Sequence, residues 1–211
     1  MFANLVTLLD WFGTAVFAIT GALMAARKGM DIFGFAALAV ATGIGGGTLR
    51  DLILGVSPVT WVGNVEYLRI CAATAVVVYF TAHFVEPRYR LLMWLDAVGL
   101  SVFCVVGARR AFDLGAAPPI AVMMGIATAT FGGIVRNILA GETSMLLNKE
   151  IYPFAAFIGS SAFVLSHLGG LPFEIGASIG FATCFAVRGL ALCFGWEMPH
   201  YKPRGTATPS R

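Results

Sequence analysis

Two related stretches decide the fold of this chain: GGGTLRDL at residues 45–52 and FGGIVRNI at residues 131–138. In both, adjacent glycines precede an arginine, and a polar side chain follows that arginine. Adjacent glycines in a helix each cost about 1 kcal/mol relative to alanine, and they permit a kink or a segment of unwound backbone. In a bilayer, unwound backbone and an arginine are tolerated only where protein or water satisfies their polar groups. We therefore expect both stretches to contact protein or water rather than lipid.

The composition around these stretches is that of a polytopic membrane protein. Of the 211 residues, 58% are hydrophobic and 12% are charged, whereas a typical soluble domain is about 25% charged. A soluble domain of this length could not cover its surface with so few charges. The net charge of +3 gives no indication of nucleic-acid binding. The four cysteines lie in apolar runs without a CxxC pair, so we predict neither a disulfide framework nor a zinc site. We also expect no other metal and no cofactor.

Seven apolar segments are long enough to cross a bilayer, for which a helix needs about 20 predominantly apolar residues. The predicted spans cover residues 5–25, 32–49, 68–85, 91–108, 119–135, 151–168 and 174–195. The residues from 196 to 211 are polar and proline-rich, and we predict that they form a tail. The expected fold is an all-α membrane protein with seven transmembrane helices.

The distribution of basic residues predicts the orientation of these spans. With seven spans, eight lysines and arginines fall on the face of the C-terminus: Arg27, Lys28, Arg88, Arg90, Lys149, Lys202, Arg204 and Arg211. Three fall on the opposite face: Arg69, Arg109 and Arg110. By the positive-inside rule, the N-terminus is outside and the C-terminal tail is cytoplasmic.

The two glycine stretches belong to an internal repeat. At an offset of 86 residues, residues 10–55 align with residues 96–141 without a gap. The aligned polar pairs are Asp10 with Asp96, Arg50 with Arg136, and Asp51 with Asn137. Glycines and alanines are abundant here and match by chance, but such scarce aspartates and arginines do not match so readily. The alignment therefore indicates a duplication.

The number of spans in each copy predicts how the two copies are related. Each copy contains three spans, so the second copy starts from the opposite face of the membrane. The expected architecture is a three-helix repeat at 5–85, an inverted three-helix repeat at 91–168, and a seventh helix at 174–195 outside both. Inverted repeats of this kind are common in membrane transport proteins.

Glycine breaks at matched positions of two inverted halves point to a permeation or binding site. A single glycine pair is better explained by close helix packing, but its repetition beside an arginine favours a pathway. Neighbouring threonine hydroxyls either line this pathway or bond to their own helix backbone. The candidate pathway residues are Gly45, Gly46, Gly47, Gly132, Gly133, Thr42, Thr128 and Thr130.

The charged and amide side chains beside the glycines are candidates for a gating or polar network. These residues are Arg50, Asp51, Arg136, Asn137, Asp10 and Asp96. Asp10 and Asp96 lie near the starts of their spans. They either cap helix N-termini or join the arginines, and the sequence leaves both interpretations open. Arg188 lies close to the end of the seventh span, so we expect its side chain to extend toward the interface.

The seven spans, the inverted repeat and the paired glycine–arginine motifs resemble the trimeric intracellular cation (TRIC) channels, whose prokaryotic relatives carry a duplicated domain labelled a glycine transporter. The resemblance covers residues 5–195. It implies a homotrimer in the lipid bilayer, with one pathway for monovalent cations, chiefly potassium, through each protomer. This pathway would pass between the first, second, fourth and fifth spans, around second and fifth helices kinked at their glycines. Phe131 stands opposite Gly45, so the second copy departs from the triple glycine.

The short tail resembles prokaryotic members, which implies a plasma or inner membrane. Two functions remain open: a channel for potassium or sodium, and a secondary transporter for glycine or another small amino acid. In a channel, carboxylates or backbone carbonyls must neutralise the arginines. In a transporter, an arginine and a helix N-terminus would hold the substrate carboxylate. We find no helical metal motif and no nucleophile with a base, so we do not expect an enzyme.

Overall fold

The computed structural model describes residues 2–84, 88–142 and 151–196, and the regular elements of these ranges are all helices. The helices are α1 (Phe2–Arg27), α2 (Ile32–Ile53), α3 (Thr60–Gly63), α4 (Glu66–Thr81, continued by a 3-10 turn at Ala82–Phe84), α5 (Arg88–Asp113), α6 (Pro118–Leu139), α7 (Tyr152–Leu168) and α8 (Phe173–Phe194). The tail from residue 197 onward, including Lys202, Arg204 and Arg211, lies outside the described residues, as does Lys149.

Seven of the eight helices correspond to the predicted spans. Six of them are long and apolar enough to cross a membrane, and α7 is a shorter apolar helix of 17 residues. The prediction of seven helices omitted α3, whose four residues are too few to produce a hydropathy signal. The predicted end of the second span at residue 49 is wrong, since α2 continues to Ile53. It continues because Arg50 and Asp51 are buried inside the protein rather than exposed at a boundary.

Local sequence signals fix where the helices begin and end. Asp31 caps α2, because its Oδ1 accepts a hydrogen bond from the backbone N–H of Gly34 at 2.8 Å. The turns after α2 and α6 each contain a glycine in the left-handed region, Gly55 at φ 72° and Gly141 at φ 65°. Only glycine adopts this conformation without strain. These two glycines are 86 residues apart, so the turns repeat together with the helices.

Helices α1 and α5 form the centre of the molecule and are the most deeply buried of the long apolar helices. α1 packs against α2, α4 and α5, while α5 packs against α1, α6, α7 and α8. Between them, the rings of Phe17 and Phe103 lie with their centroids 5.1 Å apart. The ring of Phe17 contacts the backbone at Gly99, and the ring of Phe103 contacts the backbone at Gly13. Each half therefore supplies a phenylalanine and the small residue that accommodates its counterpart.

Helices α2 and α6 cross in direct backbone contact, which we call the glycine crossing (residues 42–46 and 128–132). A methyl group added at Gly132 would lie 2.5 Å from the carbonyl oxygen of Thr42, and one added at Gly46 would overlap the carbonyl oxygen of Thr128. Because 46 meets 128 while 42 meets 132, the two helices run antiparallel. Both helices are α-helical through their glycines, so of the two possibilities that the glycines permit, a kink or unwound backbone, this structure does not show the unwound backbone. The glycines instead allow the two backbones to touch.

The glycine crossing predicts unequal effects for neighbouring glycines. Replacement of Gly46 or Gly132 by alanine should lower the free energy of unfolding by about 1–3 kcal/mol, because the new methyl group forces two helix backbones apart. Gly47→Ala is the matched control, since an added methyl would lie 3.7 Å from its nearest neighbour, Arg50 Nη2. Thermal unfolding of the purified protein in detergent measures the difference. Equal midpoints for Gly46→Ala and Gly47→Ala would contradict close packing at the crossing.

Candidate functional site

A first polar network lies on one side of the glycine crossing. It consists of Asp10, Arg50, Asp51, Tyr67 and Arg110. The Nε and Nη2 atoms of Arg50 lie 2.9 Å and 2.8 Å from Oδ1 of Asp51, which therefore accepts a two-pronged contact. The Nη1 atom of Arg50 lies 3.8 Å from Oδ2 of Asp10. Arg50 is 1% exposed, and both aspartates are 2% exposed. The network thus places one buried guanidinium between two buried carboxylates.

Asp10 has two further partners and does not cap its helix. The hydroxyl of Tyr67 donates to Oδ2 of Asp10 at 3.1 Å, and Nη2 of Arg110 lies 3.8 Å from the same oxygen. Asp10 lies more than two turns inside α1, which begins at Phe2, and Asp96 lies at the corresponding depth inside α5. Of the two interpretations that the sequence left open, the structure therefore selects the one in which both aspartates join the arginines.

The connection between α2 and α4 folds over the first polar network. The Oδ2 atom of Asp51 accepts a hydrogen bond from the backbone N–H of Thr60 at 2.8 Å, at the start of α3. The indole N–H of Trp61 donates to the hydroxyl oxygen of Thr48 at 3.0 Å. A cavity of about 20 Å³ remains among these residues and the network, which is room for about one water molecule. Sequence reasoning missed Thr60, Trp61 and Tyr67, because all three lie outside the gapless alignment of residues 10–55.

The second polar network (Thr20, Asp96, Arg136 and Asn137) lies on the opposite side of the crossing, since α2 and α6 are antiparallel. Nη1 of Arg136 donates to Oδ1 of Asp96 at 2.8 Å, and its Nε donates to Oδ1 of Asn137 at 3.1 Å. The same Nη1 donates to the hydroxyl oxygen of Thr20 on α1 at 2.9 Å. Asp96, Arg136 and Thr20 are each fully buried. The main carboxylate contact of Arg136 therefore crosses to another helix, whereas that of Arg50 is to its chain neighbour.

Two further aromatic and basic residues adjoin the second polar network. Arg188 of α8 is 1% exposed, and its guanidinium carbon lies 5.1 Å from the ring centroid of Tyr152. The expected extension of Arg188 toward the interface is therefore wrong, because cation–π contact and packing hold it inside the protein. A methyl group added at Gly133 would lie 2.9 Å from the hydroxyl oxygen of Tyr152. Neither Arg188 nor Tyr152 was a candidate from the sequence, because both fall outside the gapless alignment.

The candidate threonines bond to their own helices. The hydroxyls of Thr42 and Thr128 donate to carbonyl oxygens one turn earlier, Leu38 and Met124, both at 2.6 Å. Thr130 makes the same bond to Ile126 at 2.9 Å. The sequence left open whether these hydroxyls line the pathway or bond to their own helix backbone. In this structure they donate to the helix backbone. The carbonyls of Thr42 and Thr128, rather than their hydroxyls, meet the glycines of the partner helix.

Comparison with known proteins identifies the family. A family model described as glycine transporter matches residues 7–83 and 93–167, once in each half of the chain. The solved structure of the TRIC trimeric intracellular cation channel orthologue from Rhodobacter sphaeroides is 51% identical and covers 92% of this chain and 100% of its own, with a TM-score of 0.89. The chain belongs to the prokaryotic TRIC family. This membership confirms the resemblance drawn from the glycine–arginine motifs.

Other relatives agree with this assignment and indicate the cellular membrane. A prokaryotic TRIC channel crystallised in 0.5 M KCl is 29% identical to this TRIC protein, covers 92% of this chain and 98% of its own, and has a TM-score of 0.86. The inner membrane protein YadS of Escherichia coli K12 is 39% identical over 202 residues, which are 93% of this chain and 96% of that protein. This TRIC protein is accordingly a multi-pass protein of a bacterial inner membrane.

The different partners of the two arginines predict different sensitivity to loss of a carboxylate. Asp96→Asn should lower the free energy of unfolding by about 3–5 kcal/mol, because Arg136 then stays buried beside two neutral amides. Asp10→Asn should cost less, since Arg50 keeps its 2.8 Å contact with Asp51. Adding Asn137→Asp to Asp96→Asn should recover part of the loss. Thermal unfolding in detergent ranks the variants, and equal losses from Asp10→Asn and Asp96→Asn would contradict this account.

Proposed function

We propose that this TRIC protein is a channel for monovalent cations, potassium or sodium, with one pathway through each protomer of a homotrimer. The solved structures that it resembles at 51% and 29% identity are described as TRIC cation channels, and the Rhodobacter sphaeroides relative is described as trimeric. Potassium is the cation that we expect to pass most readily. We expect no cofactor for this function, because passage of an ion down its gradient involves no chemical step.

The pathway that we propose follows the axis between two inverted three-helix repeats, residues 5–85 and 91–168. Reciprocal contacts support this arrangement. Gly46 meets the carbonyl of Thr128 while Gly132 meets that of Thr42, and all four residues obey the 86-residue offset. Each half thus places a glycine against a threonine carbonyl of the other half. Such reciprocal contacts are expected of two copies related by a two-fold axis. Such an axis, lying in the membrane plane, passes through the glycine crossing.

Charge neutralisation of the arginines is the observation that carries the proposal. An uncompensated guanidinium beside the pathway would repel cations, and burial away from water would strengthen the repulsion. Arg50 lies against Asp51 and within 3.8 Å of Asp10, and Arg136 lies 2.8 Å from Asp96. Each end of the crossing thus holds carboxylates that offset its arginine. A cation that approaches either end meets an arginine that is already paired with a carboxylate.

Opening of the pathway requires the glycine crossing to separate. The backbones of α2 and α6 touch there, so a cation passes only when one or both helices bend. Gly45 and Gly47 are less crowded than Gly46, because a methyl added at either would meet the nearest atom outside its own turn at 3.7 Å, an ordinary van der Waals contact. We propose that α2 kinks at these glycines and that α6 kinks at Gly132 and Gly133. Arg50, Asp51, Asp10, Arg136, Asn137 and Asp96 then set how readily the helices separate.

A secondary transporter for glycine or another small amino acid is the second candidate, and the description of the matching family favours it. The substrate carboxylate would bind an arginine in this case. Arg50 and Arg136 already contact Asp51 and Asp96 at 2.8 Å, so a substrate would have to displace a buried ion pair. A permeating cation requires no such displacement, and we therefore favour the channel.

Flux measurements on one reconstituted preparation decide between the two candidates. In planar bilayers, the purified protein should produce single-channel potassium currents that vary linearly with voltage near the reversal potential. Liposomes from the same preparation should not accumulate radiolabelled glycine above the level of protein-free liposomes. Saturable glycine uptake without potassium currents would contradict the channel and support the transporter.

We also propose that the N-terminus is outside and the C-terminal tail cytoplasmic. Arg27 and Lys28 lie at the end of α1. Arg109 and Arg110 lie near the end of α5. Inverted repeats place these pairs on opposite faces, so orientation depends on the remaining basic residues, which favour the C-terminal face.

Paired reporter fusions test this orientation. Green fluorescent protein fused after Arg211 should fluoresce, and alkaline phosphatase fused at the same point should be inactive, because the phosphatase folds only outside the cytoplasm. The same two reporters placed in the turn at Gly115, on the face of the N-terminus, provide the matched control and should show the opposite activities. Active phosphatase after Arg211 would overturn the orientation.

A further inference from the structure

Beyond the exchange of Asp51 for Asn137, the two polar networks differ at a further pair of equivalent positions. In the second network, the hydroxyl oxygen of Thr20 accepts a hydrogen bond from Nη1 of Arg136 at 2.9 Å. Thr20 belongs to the first half of the chain and Arg136 to the second, so this buried bond joins the halves. At the 86-residue offset, the counterpart of Thr20 is Val106, which is fully buried and has no hydroxyl.

The first network shows the consequence of this difference. The Nη1 atom of Arg50 is buried without a hydrogen-bond partner among the described residues. This atom is the counterpart of the Nη1 of Arg136, which bonds to both Thr20 and Asp96. Arg50 also lines the cavity of about 20 Å³ that has room for a water molecule. At its Nη1 atom, Arg50 is therefore held less tightly than Arg136.

Thr20 also connects Arg136 to the glycine crossing. Its hydroxyl proton is donated to the carbonyl oxygen of Phe17 at 2.8 Å. The ring of Phe17 packs against α6, because a methyl group added at Gly132 would lie 3.1 Å from its Cδ2 atom. The hydroxyl of Thr20 thus connects the guanidinium of Arg136 to the turn of α1 whose Phe17 ring packs against Gly132 at the crossing. Separation of α6 from α1 must break this connection.

We propose that Thr20 is a positioning residue that holds Arg136 against Asp96, so that the second polar network is the main barrier to cation passage and the first is the more readily opened end. The proposal rests on the channel function proposed above. Thr20 acts through Arg136 and does not itself need to contact the ion. The difference between threonine at position 20 and valine at position 106 makes the two ends of the pathway unequal.

The test is potassium current recorded from the full-length protein in planar bilayers. Thr20→Val keeps the shape of the side chain and removes the hydroxyl. It should raise the open probability about tenfold, because the variant removes a hydrogen bond to a charged group that stabilises only the closed state. Thr20→Ser keeps the hydroxyl and should restore parental gating. Thr183→Val is the matched control, since Thr183 is half-buried on α8, away from both networks, and its hydroxyl donates to the carbonyl oxygen of Ile179 in its own helix at 2.7 Å.

A change that affects only folding would not raise the open probability, so this readout separates positioning from a structural role. Thr20→Val with unchanged or reduced open probability would overturn the proposal. The reciprocal variant, Val106→Thr, places a hydroxyl at the position that the 86-residue offset pairs with Thr20, where we expect it to accept a hydrogen bond from Arg50. It should lower the open probability of the parent. If Val106→Thr leaves the open probability unchanged, the proposal that positions 20 and 106 make the two ends unequal is overturned.

Failure of the channel function is distinguishable from failure of this proposal. If the parent carries no potassium current, the channel function is overturned, and the Thr20–Arg136 connection is judged by thermal unfolding in detergent. Thr20→Val, Arg136→Gln and the double variant form a cycle. Non-additive shifts of the unfolding midpoint would support the connection, and additive shifts would overturn it.

Discussion

Burial of two arginines in apolar helices is the constraint on which the rest of this structure depends. A charge taken out of water is tolerated only when opposite charge and hydrogen bonds surround it. Asp10 and Asp96 meet this need from deep inside α1 and α5, which explains why these two helices occupy the centre of the molecule. Helices α2 and α6, which carry Arg50 and Arg136, must then pack on that centre. The position of the charges therefore dictates which helices are inside and which face lipid.

The glycine crossing is the second constraint, and it follows from the first. Because each arginine is one turn beyond Gly46 or Gly132, the two ion-paired networks lie on opposite sides of a contact between bare backbones. Side chains at the contact would hold α2 and α6 apart and draw the arginines away from their carboxylates. The glycines thus contribute to electrostatics as well as to packing. In the proposed channel, movement of the crossing would therefore disturb the polar networks on both sides of it.

Much of this fold is readable from the sequence, because hydropathy marks the spans and the scarce aspartates and arginines mark the duplication. What the sequence could not provide depends on contacts between distant residues. The pairing of Asp10 with Arg50 required the packing of α1 on α2 to be known, and Thr20 carries no signal because its counterpart is a valine. Helix α3 is too short for periodicity. The glycines indicated a break, but the partner backbone that fills the space beside Gly46 is 82 residues away, and only the structure reveals it.

The reciprocal contacts at the crossing have a consequence for how such a chain can arise. Gly46 needs the carbonyl of Thr128, and Gly132 needs that of Thr42, so each repeat supplies what the other lacks. A single repeat has a glycine face with no backbone to meet. Two copies of one ancestral chain, inserted in opposite orientations, would satisfy each other in the same way before any gene fusion. Two identical copies of one repeat cannot carry aspartate beside one arginine and asparagine beside the other, whereas a single chain that holds both halves can.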